Sequence, residues 1–294
     1  MGLAAPAILV RDLHKSYGGV HAVRGIDFDV AGGEVFGLLG PNGAGKTTTV
    51  EILEGYRERT SGIVSVLGED PSARSRALLE RVGIVLQSSG TYRHVTVREI
   101  LTHWARFYPH PRDVDEVIDL AGLRESQDVR ARRLSGGQAR RLDFALALVG
   151  DPELIFLDEP TTGFDPAARR AAWETIRALA DLGKTVLLTT HYLEEAQALC
   201  DRVAIVKDGR IRAVGAPAEL GVGASSRYRV TWRDETTGEL VTRETEDPTG
   251  LLHQLTSAAL ARGVALRDLS VSRPSLEDVY LELTATASAD EVSP

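Results

Sequence analysis

Gly40-Pro41-Asn42-Gly43-Ala44-Gly45-Lys46-Thr47 has the spacing G-x-x-x-x-G-K-[ST]. That spacing suits phosphate chemistry. Glycines let the backbone curl so that several N–H groups face one phosphate chain. A lysine at this place neutralises β- and γ-phosphate oxygens, and the Thr47 hydroxyl suits Mg²⁺. The context the motif needs is present: an apolar strand at 34–39 before it and a helical run from Lys46 after it. The N-terminus of that helix adds about +0.5 charge toward a bound anion. The plain alternative is a glycine-rich turn with a solvated lysine, and the flanking strand and helix weigh against it.

Three further apolar strands each stop at polar side chains. Residues 82–86 run into Gln87, 154–157 into Asp158-Glu159, and 186–190 into His191. In open parallel sheets, ligands sit beyond the carboxyl ends of the strands. These side chains are therefore expected to converge on whatever the 40–47 loop holds. Asp158 suits an Mg²⁺ ligand, directly or at one remove. Glu159 suits a group that orients and activates an attacking water. Taken singly, each has a plainer reading: an acidic pair opening a loop, a structural histidine, a glutamine that carries almost no information. Convergence at one end of one sheet raises all three.

Leu134-Ser135-Gly136-Gly137-Gln138 precedes a helical stretch at 139–149. A serine and two glycines at a helix start make a second anion site, with free N–H groups and no side-chain obstruction. One chain needs one such site for one triphosphate. A second points to a γ-phosphate contact made across a dimer interface.

The elements that must position these groups are also readable. Residues 7–36 alternate short apolar runs with turns and read as β-rich. From about 78 to 149 the pattern is helical. Thr96-Val97-Arg98-Glu99 is a capping box, and a second helix at 113–121 is closed by Gly122. From 150 to 215 buried strands alternate with helices. Asp165-Pro166 supplies an N-cap and an N1 proline for a helix that stops at Gly183. Strands at 185–190 and 203–206 follow. Continuous apolar strands between helices indicate an α/β fold with a parallel sheet covered on both faces. Composition shifts near 217–226. Beyond it lie two alternating strands, 227–233 and 239–245, and a helix at 251–261. The expected organisation is a large domain at 1–216, a small α+β domain at 217–284 and a disordered tail at 285–294.

The chain has 294 residues, 43% apolar and 26% charged, the balance of a soluble globular protein. Its net charge of −8 argues against nucleic acid as the main partner, while leaving room for local basic patches. The bases are arginine-rich, with only Lys15, Lys46, Lys184 and Lys207 as lysines. One cysteine, Cys200, excludes an internal disulfide framework. No run approaches the ~18–20 apolar residues that span a bilayer, and residues 1–6 do not read as a signal peptide.

With these residues in this order, the chain resembles the ATP-binding subunits of ATP-binding-cassette (ABC) transporters. The phosphate loop, Gln87, Leu134 to Gln138, residues 154–159, Thr161-Thr162-Gly163-Phe164-Asp165 and His191 follow the family order, and the likeness covers about 7–215. The resemblance implies a P-loop cassette with a parallel core sheet, an antiparallel β subdomain and a helical subdomain at about 88–149. It implies ATP and Mg²⁺ as cofactors, with Gly40, Pro41, Asn42, Gly43, Ala44, Gly45, Lys46, Thr47 and Thr48 around the phosphates. Two subunits would pack head to tail, each ATP lying between the Lys46 loop of one and Ser135, Gly136, Gly137 and Gln138 of the other.

By the same resemblance, Thr47, Gln87 and Asp158 hold the metal, and Gln87 lies near the surface that receives a helix from the membrane partner. Glu159 is the general base or water-positioning group, His191 holds the γ-phosphate and Asp165 signals across the dimer. Tyr17 matches the aromatic position that stacks on adenine; otherwise it is a packing aromatic of the β-region. Phe164 departs from the family's usual leucine, a change expected to alter interface packing without loss of activity.

The segment Arg273 to Thr284 resembles the end of export-type subunits of the daunorubicin-resistance group. Its Leu276, Val279, Tyr280 and Leu283 also fit an amphipathic helix on its own small domain. The implied function is an ATP-hydrolysing motor at the cytoplasmic side of the membrane, exporting a drug-like or lipid-like molecule through a separate permease of the ABC-2 type. The alternatives are a soluble non-transport ABC-type ATPase or a nucleotide-dependent regulator. Against the first, no sustained heptad pattern lies between the loop and the signature. Against the second stand the intact Asp158-Glu159 and His191. The cargo itself is not legible.

Overall fold

The computed structural model describes residues 5–85, 94–223, 228–234, 237–272 and 276–285. The chain divides into two compact units, Met1–Val214 and Gly215–Pro294.

The first unit is built on a six-stranded sheet. Its strands are β3 (Val35–Leu39), β5 (Val82–Val85), β6 (Leu154–Asp158), β7 (Thr185–Thr190), β8 (Arg202–Lys207) and β9 (Arg210–Gly215), in the order β5-β6-β7-β3-β8-β9. The pairs β5–β6, β6–β7, β7–β3 and β3–β8 are parallel. Both β3 and β7 are buried along their whole length, so they are written as continuous runs of buried residues rather than as alternation. Strand β9 returns from β8 through Asp208-Gly209, both in the left-handed region at φ 51° and 73°, the geometry of a two-residue hairpin turn.

A second, antiparallel sheet joins β1 (Ile8–Tyr17), β2 (Val20–Val30) and β4 (Ser61–Val66) in the order β2-β1-β4. One apolar cluster ties the two sheets together, with Ile8, Ile26 and Val64 from the antiparallel sheet and Phe36, Phe156 and Leu187 from the core sheet. Phe28 stacks on Phe36 with ring centroids 5.5 Å apart. Helices α1 (Lys46–Leu53) and α2 (Arg76–Glu80) connect the strands.

Helices α3 (Val97–Ala105), α4 (Val114–Leu120) and α5 (Gly136–Leu148) bury a cluster of their own, including Leu101, Ile118 and Leu142. The local signals hold here. Thr96 and Glu99 form the capping box of α3, Asp113 caps α4, and Gly122 ends it at φ 62°. Two further helices are α6 (Pro166–Asp181), capped by Asp165, and α7 (Leu193–Leu199). Just past α7 lies Cys200, which is buried. A Cβ added at Gly37 would stand 2.7 Å from its Sγ. Burial raises the Cys200 thiol far above its ordinary pKa.

The second unit holds α8 (Pro217–Gly223), β10 (Tyr228–Arg233), β11 (Leu240–Thr245), α9 (Pro248–Arg262), β12 (Arg267–Ser272) and α10 (Leu276–Ala285). Its antiparallel sheet runs β11-β10-β12. Val230, Leu251, Ala259, Leu276 and Val279 are buried, and Arg229 holds Asp278 of α10 at 2.5 Å. The sequence pattern does not reveal β12, every residue of which is exposed. Of the expected 285–294 tail, Ala285 closes α10 and the remainder lies outside the described residues. Among the described residues, no helix is long and apolar enough to cross a membrane.

Candidate functional site

The glycines of the phosphate loop have steric reasons. A Cβ at Gly40 would stand 2.2 Å from the Val206 carbonyl oxygen, and one at Gly45 2.5 Å from that of Ala22. Gly45 also adopts φ +103°, a conformation other residues rarely reach. The loop is fixed at both ends. The Gly40 N–H donates to the Thr190 carbonyl at 3.2 Å, and the Gly209 N–H donates to the Ala44 carbonyl at 3.0 Å. Helix α1 starts directly after Gly45, with no side chain capping it, which leaves its first-turn N–H groups for an anion.

Lys46 is buried beneath the loop rather than solvated. Its Nζ donates to the Gly40 carbonyl at 2.7 Å and the Pro41 carbonyl at 3.1 Å. Burial lowers its pKa, while Glu159 and then Asp158 oppose that shift by charge. A cleft of about 320 Å³ opens here, lined by Asn42, Gly43, Gly45, Lys46, Thr47 and Thr48, with Ala22 and Glu159.

Strand β6 brings the acidic pair to this cleft. Asp158 pairs in register with Thr189 of β7. Glu159 follows at φ +44°, a left-handed conformation that costs a non-glycine residue of the order of 1–3 kcal/mol. Its N–H donates to the Thr189 hydroxyl at 2.9 Å, and its Oε2 accepts from the Thr162 hydroxyl at 3.0 Å. Its Oε1 then stands 3.9 Å from Lys46 Nζ and 3.4 Å from His191 Nδ1. The carboxylate thus lies between a cation and an imidazole at the mouth of the phosphate cleft.

The loop at 40–48, Asp158, Glu159 and His191 are brought together within one chain. Other expected site residues are not at the cleft. Ser135 and Gln138 satisfy each other as the capping box of α5, at 2.9 and 3.2 Å, while added Cβ atoms at Gly136 and Gly137 would meet nothing within 4 Å. Asp165 accepts the N–H groups of Ala167 and Ala168. The Tyr17 ring is flanked by Lys15 at 4.9 Å and Arg57 at 5.2 Å. Gln87 lies outside the described residues.

Sequence reasoning missed Thr189, which touches both members of the acidic pair. The available signal was a threonine pair at the end of an otherwise apolar strand.

The sequence model of the ABC transporter family matches residues 23–162. The chain is 41% identical over 300 residues to a Nod factor export ATP-binding protein I of Rhizobium sp. strain N33, covering 95% of this chain and 97% of that protein. The chain belongs to the ABC transporter family. Solved structures share its fold. The ABC transporter component cbiO1 from Clostridium perfringens, part of the complex cbiONQ, superposes with a TM-score of 0.65 at 30% identity, covering 73% of this chain and 90% of that one. An ATP-binding subunit of an ABC transporter superposes with a TM-score of 0.69 at 23% identity, covering 95% of this chain and 99% of that one. As an ABC transporter ATPase, the chain binds and hydrolyses ATP.

Proposed function

We propose that this ABC ATPase is the motor of an export system, working as a head-to-tail pair of cassettes on a separate membrane subunit. One observation carries the catalytic reading: Glu159 Oε1 stands 3.9 Å from Lys46 Nζ and 3.4 Å from His191 Nδ1. A cation for phosphoryl charge, a carboxylate for water and an imidazole for the γ-phosphate are thereby gathered at one cleft.

In the proposed step, the loop N–H groups and Lys46 hold the triphosphate. Glu159 orients a water and takes its proton as the water attacks the γ-phosphorus. The bond between that phosphorus and the bridging oxygen breaks, and ADP leaves with the electron pair. His191 donates a hydrogen bond to a γ-phosphate oxygen. Such a transfer needs mainly positioning and charge neutralisation.

The Thr47 hydroxyl and the Asp158 carboxylate, with the amide oxygen that Gln87 supplies in the sequence, would make an all-oxygen donor set that suits Mg²⁺. Asp158 is already oriented by Thr189 at 2.6 Å. When bound with the nucleotide, Mg²⁺ supplies neutralisation of the β- and γ-phosphate oxygens.

Tyr17 stacks on adenine in this reading. Ser135, Gly136, Gly137 and Gln138 cap the ATP held by the second subunit, and Asp165 faces across the pair. The open space around Gly136 and Gly137 supports the capping role. Export is supported by the relative named for Nod factor export and by the segment at 273–284. We infer a drug-like or lipid-like cargo, a membrane partner of the ABC-2 type and a place on the cytoplasmic side of the membrane.

The test is Glu159→Gln. It is expected to bind ATP, to hydrolyse it at least about 100-fold more slowly and to accumulate as an ATP-bound dimer on gel filtration. Turnover at the parent rate overturns the role of Glu159. A monomer at saturating ATP, with the membrane subunit supplied, overturns the paired arrangement.

A further inference from the structure

The loop that follows Glu159 is gripped by a residue away from the cleft. Glu195 sits on α7, four residues beyond His191, and is completely buried. Its Oε1 accepts the Thr161 hydroxyl at 2.7 Å and the Trp173 indole N–H at 3.1 Å. Thr161 is itself completely buried and lies two residues past Glu159. Trp173 lies on α6, the helix that Asp165 opens. One carboxylate oxygen therefore joins α7, α6 and the loop between Glu159 and Asp165. Between Glu159 and Thr161, the Pro160 carbonyl accepts from Arg140 Nε at 3.2 Å, and Arg140 belongs to the helix that Ser135 caps.

A buried carboxylate is unfavourable without hydrogen-bond donors; here the Thr161 donor lies in the loop that leads back to Glu159, and the Trp173 donor lies on the helix that Asp165 opens. Thr161 lies two residues from Glu159 along the chain, and Glu195 itself lies four residues from His191. The Glu159 and His191 side chains stand 3.4 Å apart. The left-handed backbone at Glu159 persists only while its surroundings hold it.

We propose that Glu195 is a positioning residue for hydrolysis: by holding the Thr161 hydroxyl and the Trp173 indole, it fixes the Glu159 carboxylate against His191. The proposal rests on the reading that Glu159 and His191 act at the γ-phosphate. Glu195 is completely buried and does not line the cleft, so its removal acts on turnover and spares binding. A misplacement of about 1 Å in reacting groups costs on the order of 100-fold in rate.

The experiment uses the full chain and its Glu195→Ala, Glu195→Gln and Thr161→Val variants. Steady-state ATP turnover is compared with affinity for a fluorescent mant-ATP. Glu195→Ala is expected to lower kcat about 10–100-fold, with KM and mant-ATP affinity within about twofold of the parent. Glu195→Gln keeps the accepting oxygen and recovers most of the rate. Thr161→Val removes one of the two donors and lowers the rate in the same direction, and the Glu195→Ala/Thr161→Val double variant is no slower than Glu195→Ala alone, because Glu195→Ala has already broken the contact that Thr161→Val removes.

Parent-like turnover in Glu195→Ala overturns the proposal. So does a parallel loss of nucleotide affinity and rate, or a Glu195→Gln no better than Glu195→Ala. If Glu195→Ala fails to fold by circular dichroism, Thr161→Val and Glu195→Gln decide by the same criteria. A parent chain that hydrolyses no ATP removes the underlying reading instead, an outcome distinct from an active parent whose variants all match it.

Discussion

The Thr189 hydroxyl donates to the Asp158 carboxylate at 2.6 Å. The same oxygen accepts the Glu159 backbone N–H at 2.9 Å. One buried hydroxyl thus aims the first carboxylate and pins the backbone of the second. Thr189→Val keeps the branched shape and removes both bonds. A hydrogen bond of about 1.4 kcal/mol corresponds to a tenfold change in rate. We expect kcat to fall about tenfold while nucleotide affinity holds, as read by phosphate release beside mant-ATP titration. Equal rates in variant and parent would show that the bridge has no part in turnover.

In the proposed mechanism His191 donates to the γ-phosphate, and its Nδ1 stands 3.4 Å from Glu159 Oε1. Replacing it with alanine removes one donor aimed at developing charge, which costs roughly 100–1,000-fold in turnover at comparable sites. His191→Ala should retain ATP binding within a few-fold. Single-turnover phosphate release checks this, and an unchanged rate constant would exclude the imidazole from the reaction.

Gly45→Ala tests the loop itself. The new Cβ would meet the Ala22 carbonyl at 2.5 Å with the backbone at φ +103°, a strain on the order of 1–3 kcal/mol. The expected result is a lower melting temperature and lost ATP binding. Gly136→Ala, whose Cβ meets nothing within 4 Å, should melt with the parent. The pair separates backbone strain from the generic effect of adding a methyl group.

Glu54 sets a pH dependence. Burial, then the charges of Asp158 and Glu51, pushes its carboxyl up from the ordinary 4.5 to about 8. A raised carboxyl favours the protonated folded state. Its stabilising contribution is complete below about pH 4.5 and is lost as pH rises through about 8. Glu54→Gln mimics the protonated form. Its melting temperature should track the parent near pH 4.5 and exceed it at pH 9, by an amount up to roughly 5 kcal/mol in stability. Parallel melting curves across that range would refute the shift.

The central sheet was legible because both its faces are covered, which leaves β3, β6 and β7 as runs of buried residues. The caps at Thr96 and Asp165 were legible because each acts within four residues of chain. Thr189 was not, because threonine is an ordinary strand residue and its hydroxyl gains meaning only when β6 lies alongside β7. Nor was the burial of Lys46, which depends on carbonyls that face inward only after the loop has curled. Strand β12 escaped because all six of its positions are exposed, so no burial pattern marks it. Ser135 and Asp165 read as ligand-facing from their motifs, yet within one chain they cap helices, and their proposed second role belongs to a pair of chains.

The only sulfhydryl in the sequence, Cys200, is packed over Gly37 with its ionisation suppressed. Maleimides react with the thiolate, so the native side chain is expected to react slowly with them under folded conditions. A spin label or fluorophore attached at one introduced surface cysteine therefore reports from that place alone. Separations between two copies become measurable during the nucleotide cycle with no need to build a sulfur-free parent first.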